Sequence, residues 1–295
     1  MHLETLKIFC DLVKEGNFSK TAEQNSLSQS AVSQQLAQLE LEYKCQLLDR
    51  KKRPIELTSE GKLFYKAAKD IIERYKRFQS ELNSLKSTTG FQINVGCIYS
   101  IGMHTLPRYV KSFKDKYPKV DIHIEYLSAK KIYEQVLSGE IDFGFVAVPQ
   151  RGKYLKVYDF ENEPLVFVCS PRHCLSKRDE VDIHEIQFER FVGFDNQVPT
   201  RWWIDNMLVR YDIVIKPALE FDNIETIKRA VEINSGVSIL SATAIEQESN
   251  DGTLSAIPFS NEHFYRPTGI IHRTNKVLSK MDKAFLEMLQ ENKVR

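Results

Sequence analysis

From Leu3 to Lys14 the apolar residues Leu3, Leu6, Ile8, Phe9, Leu12 and Val13 fall on one broad helical stripe, and Gly16 with Asn17 ends it. Cys10 borders the stripe and reads as a small core or boundary residue. A short helical pattern follows from about Ser19 to Asn25, with Ala22 for close packing, then a polar turn of Ser26, Leu27 and Ser28. In the next helix Val32, Leu36, Leu39 and Tyr43 recur at spacings of 4, 3 and 4, while Ser30, Ser33, Gln34, Ala37 and Gln38 share the opposite side. Two short apolar segments then flank the basic run Arg50, Lys51, Lys52 and Arg53, a pattern that predicts a β-hairpin.

From Thr58, with Thr58 or Ser59 as its cap, a long helix is predicted: Phe64, Ala67, Ile71, Tyr75, Phe78, Leu82 and Leu85 follow at spacings of 3, 4, 4, 3, 4 and 3 without a proline. A helix of this length spans roughly 45 Å, too far for a small head to cover. The seam therefore predicts a second copy of the same helix. Residues 87–90, Ser-Thr-Thr-Gly, make a polar break and a hinge. Beyond it, apolar segments at 91–97, 120–126 and 141–148 alternate with helical patterns at 101–116 and 129–138. This βαβ order predicts a largely parallel sheet. Further strands are expected at 165–170, 191–194, 217–221, 237–241 and 268–272, and helices near 201–212, 223–234, 242–249 and 277–291.

The outer face of the helix after Ser28 is polar yet nearly uncharged. Short hydroxyls and amides around Ala37 can meet base edges without holding the backbone away. An ordinary solvated face would carry Lys and Glu instead. Two short helices joined by a tight turn have the dimensions of a helix-turn-helix, whose second helix enters the major groove. Candidate DNA contacts are Ser28, Gln29, Ser30, Ser33, Gln34 and Gln38 on this helix, and Arg50, Lys52 and Arg53 on the wing, which suit phosphates or a minor groove. Paired long helices would set two such heads on one face, as a palindromic DNA site requires.

Charge changes the picture only locally. The chain of 295 residues carries a net charge of +1, but its first 90 residues hold 15 Lys and Arg against 12 Asp and Glu, and the remainder 26 against 28. That sign suits a DNA-binding head on a neutral body. MHLETLKIF is not a secretion signal, and no apolar run approaches the roughly 20 residues of a membrane span. Five cysteines without close pairing fit a reducing compartment, so the expected location is the cytoplasm.

The run FCDLVKEGNFSKTAEQNSLSQSAVSQQLAQLE, followed by LLDRKKRPIELTSEG and a long linker helix, resembles the LysR-type transcriptional regulators. INVGCIYSIGMHTLPRYVKSFKDKYPKVDIHI, LSGEIDFGFV, SPRHCLSKRD and AVEINSGVSIL continue the likeness, which covers essentially the whole chain. Gln34 stands where the family often has Arg, Leu48 where it usually has Phe, Tyr43 and Lys44 in place of an apolar-Gly turn, and Cys174 in place of Pro. An amide at Gln34 reads adenine more naturally than guanine. The resemblance implies α/β architecture with an N-terminal all-α winged helix-turn-helix head and an effector domain of two Rossmann-like lobes of the periplasmic-binding-protein type. Its domains would be the head at 1–58, the linker helix and hinge at 59–89, and the effector domain at 90–295. Lobe I would take 91–164 and 267–295, lobe II 165–266. Implied partners are double-stranded DNA, a small-molecule effector and a second copy through the linker helix. A homotetramer is common in the family, and RNA polymerase is a further candidate partner; no cofactor, metal or membrane is implied.

In an open α/β sheet a ligand lies beyond the carboxyl ends of strands, near helix N-termini. Cys97 to Ile101, Asn196 to Arg201 and Asp222 to Thr226 are such places. Ser100, Ile101, Ser128, Thr200 and, more weakly, Arg201 are the candidate contacts for a small polar or anionic effector, their convergence resting on the resemblance. Taken singly, each hydroxyl reads as a helix cap. Two other functions compete. A thiol-based redox sensor would use Cys97, Cys169 or Cys174, and would need exposed, low-pKa thiols. An enzyme would need a motif that is missing: there is no Gly-rich phosphate loop or GxSxG elbow, and His104, His123, His173, His184, His263 and His272 are scattered singly. Trp202 and Trp203 read as anchors of a helix or interface.

Overall fold

The computed structural model describes residues 2–49, 55–86 and 91–291. These divide into two compact units, residues 1–88 and 89–295.

In the first unit, α1 (Leu3–Glu15) stops at Gly16, whose φ of 62° closes the helix by an N–H bond to the Leu12 carbonyl. Asn17, expected to help end that helix, instead starts the next. Its side chain accepts from the N–H groups of Ser19 and Lys20 and caps α2 (Phe18–Gln24). Ser28 caps α3 (Gln29–Tyr43), its hydroxyl accepting from the Ala31 N–H at 3.1 Å. Val32, Leu36 and Leu39 are buried among Ile8, Phe9, Leu12, Ala22, Leu47 and Leu48. Tyr43, expected in the same stripe, is 44% exposed and rests its ring edge on Phe64 at 5.1 Å. It stands on the last turn, where the core has already been closed by α4 (Ser59–Lys86).

The wing is the antiparallel pair β1 (Leu48–Asp49) and β2 (Glu56–Leu57). Its tip, with Arg50, Lys52 and Arg53, lies outside the described residues, as does the 87–90 hinge. Thr58 caps α4, accepting from the Gly61 N–H at 2.9 Å and donating to the Gln46 carbonyl at 2.6 Å. Gly61 is obligatory, because any Cβ there would collide with the Leu47 carbonyl oxygen. Of the predicted seam, Phe64 packs into the head core. Ile71, Tyr75 and Phe78 are 42%, 42% and 54% exposed. Leu82 and Leu85 lie outside the residues whose side chains are described.

The second unit opens with β3 (Gln92–Cys97), followed by a π-helical turn at Ile101–Thr105 and α5 (Leu106–Lys116). Then come β4 (Asp121–Tyr126), α6 (Ala129–Ser138) and β5 (Phe143–Ala147). β3 pairs in parallel with β4 and β5, as βαβ order requires. The sheet as a whole is mixed rather than largely parallel. β6 (Leu155–Cys169) and β11 (Phe264–Arg273) are long strands that pair antiparallel with each other, and β11 also runs antiparallel to β5.

Both long strands begin earlier than their apolar patterns suggest. Asp159, Glu161, Asn162, Glu163 and Pro164 break the pattern of β6, and Arg266 and Pro267 that of β11. Those interruptions fall where the chain passes between two cores. Phe160 and Ile270 belong to one, with Ile93, Val95, Phe113 and Phe285; Leu165 and Phe264 belong to the other, with Phe167, Ile204, Ile227 and Ile239.

The second core is enclosed by the parallel pair β7 (Val192–Phe194) and β8 (Leu219–Phe221), with α7 (Pro199–Val209) and α8 (Ile224–Glu232). Next come β9 (Ser238–Ser241), a 3-10 turn at Ala242–Ile245, α9 (Glu246–Asn250) and β10 (Ser255–Ile257). β9 and β10 both pair antiparallel with β6. α10 (Lys280–Glu291) returns to the first core through Met281, Phe285 and Leu289. No helix among the described residues is long and apolar enough to cross a membrane.

Candidate functional site

Two surfaces stand out, one in each unit. On α3 the buried back leaves Gln29, Ser30, Gln34, Ala37 and Gln38 exposed and Ser33 half-buried, all on the side away from the core. Ser28 is exposed at the start of the same face, its hydroxyl 2.9 Å from that of Ser30.

In the second unit a cavity of about 720 Å³ is lined by the ends of strands and the starts of helices from both cores. Ile98, Tyr99 and Ser100 follow β3, and Tyr126 to Lys131 run from the end of β4 into α6. The other wall is Phe194 to Asp195, Gln197 to Thr200 and Asp222 to Ile224, around the carboxyl ends of β7 and β8. The expected capping roles are absent. Neither Ser100 nor Ser128 makes a side-chain cap bond, and α7 is capped by Val198, so that Thr200 sits inside its first turn.

What occupies the Ser100 and Thr200 hydroxyls is Arg266, which the sequence reading missed. Its guanidinium donates to Thr200 Oγ1 at 3.1 Å and to Ser100 Oγ at 3.2 Å. It also holds the Glu163 carboxylate, its direct cross-strand partner, through Nε at 3.1 Å and through a second, very close contact. Glu163 in turn accepts from the Thr105 hydroxyl at 3.1 Å. Arg266, Glu163, Ser100, Thr105 and Thr200 are all buried; Arg266, Ser100 and Thr200 form the floor of the cavity, and the charge of Arg266 is satisfied internally by Glu163. The one signal available in the sequence was the pair of polar interruptions in β6 and β11.

Of the expected effector contacts, Ser100, Ser128 and Thr200 line the cavity. Ile101 and Arg201 do not, and both expectations are corrected. Ile101 is fully buried in the first core because the π turn points it inward. Arg201 turns away to Asp205, Glu220 and the Phe194 carbonyl, three acceptors that together hold the guanidinium away from the cavity.

Beside the cavity, His104 Nε2 meets Glu225 Oε1 at 3.0 Å, and Glu225 also pairs with the buried Lys228 at 2.8 Å. Burial raises the Glu225 pKa, but the bonds from Lys228 and His104 outweigh it and hold the carboxyl below its usual range. Cys97 and Cys169 are buried, and burial pushes each thiol up to about 12. Cys174 is exposed beside His173, and with Glu189 these offer three ligand atoms within 4.8 Å of one another. Both ring nitrogens of His173 are already engaged, Nε2 with Glu189 at 3.1 Å and Nδ1 with the Leu175 N–H at 3.3 Å. Trp203 anchors α7 by donating to the Tyr265 carbonyl at 2.8 Å, while Trp202 is exposed.

A winged helix-turn-helix followed by a two-cored α/β body with a cleft defines a ligand-responsive transcriptional regulator. The family model described as "Bacterial regulatory helix-turn-helix protein, lysR family" matches residues 3–62, and that described as "LysR substrate binding domain" matches residues 88–293. The chain belongs to the LysR family of transcriptional regulators. It is 29% identical to a "Probable RuBisCO transcriptional regulator" of Trieres chinensis over 97% of this chain and 96% of that one. It is 24% identical to the "HTH-type transcriptional regulator CysL" of Bacillus subtilis over 99% and 98%. Among solved structures, CbnR, a LysR family transcriptional regulator, superposes with a TM-score of 0.71 at 17% identity, covering 100% of both chains. HinK, a LysR family transcriptional regulator from Pseudomonas aeruginosa, gives 0.62 at 20%, covering 98% of this chain and 97% of that one. At these identities the structural likeness carries the fold alone.

Proposed function

We propose that this regulator reads a palindromic DNA site through α3 and responds to a small polar or anionic metabolite bound in the cleft. The observation that carries the DNA half is the outward row Ser28, Gln29, Ser30, Ser33, Gln34 and Gln38 over a fully buried back. The Ala31 N–H is used by the cap, which leaves the N–H groups of Gln29 and Ser30 for a phosphate. Arg50, Lys52 and Arg53, which lie between β1 and β2 in the sequence, neutralise neighbouring phosphates in this reading. The exposed Ile71, Tyr75 and Phe78 on α4 support pairing with a second copy, which sets two α3 helices on one DNA face; a tetramer and a contact with RNA polymerase extend the same reading.

In the body, Ser100, Ser128 and Thr200 present hydroxyls to the cleft, with Ser100 and Thr200 polarised by Arg266. The head then ends near residue 58 and the linker near 89, with lobes exchanging at about 165 and 267, a division supported by the change of core along β6 and β11. The protein acts without catalysis and in the cytoplasm. A metabolite signal is preferred to thiol oxidation: Cys97 and Cys169 are buried with thiols pushed up to about 12, which leaves Cys174 as the one exposed thiol among the described residues, with no exposed partner there for a disulfide within the chain.

A gel-shift assay with the DNA upstream of its own gene tests the reading. We expect a retarded complex, lost in Gln34→Ala with Ser30→Ala. Failure of the unaltered protein to retard that DNA sinks the DNA half.

A further inference from the structure

We propose that the cleft takes a zwitterion of the α-amino acid class, its carboxylate on the Ser100 and Thr200 hydroxyls and its ammonium turned toward Asp195 and Asp222. The proposal rests on the cleft reading above and names the ligand that the cleft selects.

The floor limits the negative charge it can hold. Each hydroxyl has one hydrogen. Because Ser100 Oγ and Thr200 Oγ1 both accept from Arg266, their hydrogens are left to donate into the cleft. Arg266 itself is matched by Glu163, so the floor offers two oriented donors and no surplus charge. Two such donors satisfy the oxygens of one carboxylate. A phosphate or second carboxylate would need an uncompensated cation there to offset its desolvation.

The walls then set the remainder of the ligand. Asp195 and Asp222 immediately follow the neighbouring parallel strands β7 and β8, whose ends are tied by the Asp195 N–H to the Phe221 carbonyl at 2.8 Å, so the two residues start from adjacent backbone positions and line the same cavity. Asp195 Oδ1 accepts from the Gln197 N–H at 2.8 Å, and Asp222 has no hydrogen-bond or ion-pair partner among the described residues. Lys130 and Lys131, exposed on α6, line the other side. The four wall charges cancel in sum but are separated in space. Such a lining favours a ligand with no net charge and two separated poles: with a carboxylate on the floor, a second charge directed at Asp195 and Asp222 is attracted only if it is positive.

Calorimetric titration of the full chain tests this, with the twenty common amino acids and with succinate and glycerol 3-phosphate as anionic comparators. For each binder the desamino acid and the decarboxylated amine are titrated as well. We expect at least one amino acid to bind, with both truncated analogues about tenfold or more weaker, as loss of a charge-assisted bond requires. Asp222→Asn, at an exposed position, should shrink the preference over the desamino acid to within about threefold. Ser100→Ala with Thr200→Val should abolish binding of either. A panel without an amino-acid binder, tighter binding of succinate or glycerol 3-phosphate, or an unchanged preference in Asp222→Asn overturns the zwitterion class. If succinate binds and is lost in Ser100→Ala with Thr200→Val, the cleft reading survives while the zwitterion falls. If any binder is unaffected by that double substitution, the cleft reading falls too.

Discussion

The polar row of α3 and the floor of the cleft are both surfaces made to meet a ligand, yet they are assembled from different distances along the chain. Ser28 to Gln38 occupy eleven consecutive positions, and one helix with a buried back turns the polar ones outward. Ser100, Glu163, Thr200 and Arg266 come from four elements separated by up to 166 positions, and nothing orders them until two cores have formed around β6 and β11. The first surface needs only local periodicity and is satisfied by water when unoccupied. The second removes a guanidinium and a carboxylate from water and is stable only because each is the other's partner.

Breaking that dependence should have the largest effect. Arg266→Met leaves Glu163 buried and unpaired, and should cost about 3–5 kcal/mol in urea unfolding of the body, whereas Arg266→Met with Glu163→Leu should recover most of it. If the single and double variants melt alike, the floor is not the self-contained pair described. Gly61→Ala tests the head: its Cβ meets the Leu47 carbonyl, so about 1–3 kcal/mol should be lost in the head's own transition.

On the α3 face the contrast predicts the reverse pattern. Gln34→Ala should weaken binding to the preferred DNA site by about 1–3 kcal/mol while leaving the melting curve of the head unchanged. A stability loss as large as the binding loss would mean that Gln34 supports the fold.

Acid sharpens the comparison at the edge of the cleft. Glu225 is held below its ordinary value of 4.5, so its contribution to stability is intact above that value and is lost as pH falls through its lowered folded value. Subtracting the stability–pH curve of Glu225→Gln from that of the unaltered chain should reveal the loss only in that acidic window. The smallest effect is expected at Arg201: its partners are surface acids, so Arg201→Ala should cost about 0.2–1 kcal/mol and leave amino-acid titrations unchanged.

Much of this molecule was legible in its pattern of apolar and polar positions. The α1, α3 and α4 stripes, the Ser28 cap and the βαβ opening of the body follow from periodicity and capping, because those signals act between residues a few positions apart. Ser100, Ser128 and Thr200 could be picked out for their places after strands, although Ser100 and Thr200 act as acceptors from a buried arginine rather than as caps. The sequence could not indicate that Arg201 would turn to Asp205 and Glu220, that Ile101 would point into the core, or that Gly61 had to lack a side chain.

Glu163 and Arg266 mark that boundary. In sequence they are charges interrupting two apolar strands and weaken the case for strands at all; in the folded chain the antiparallel register of β6 and β11 sets them opposite each other, where neither can find water. Local pattern thus fixed the helices of the head, the βαβ opening of the body and the outward face of α3, but not the full length of β6 and β11. Only the pairing of distant strands decided where a charge could be buried, because the desolvation of one group is offset solely by a partner that tertiary structure brings to it.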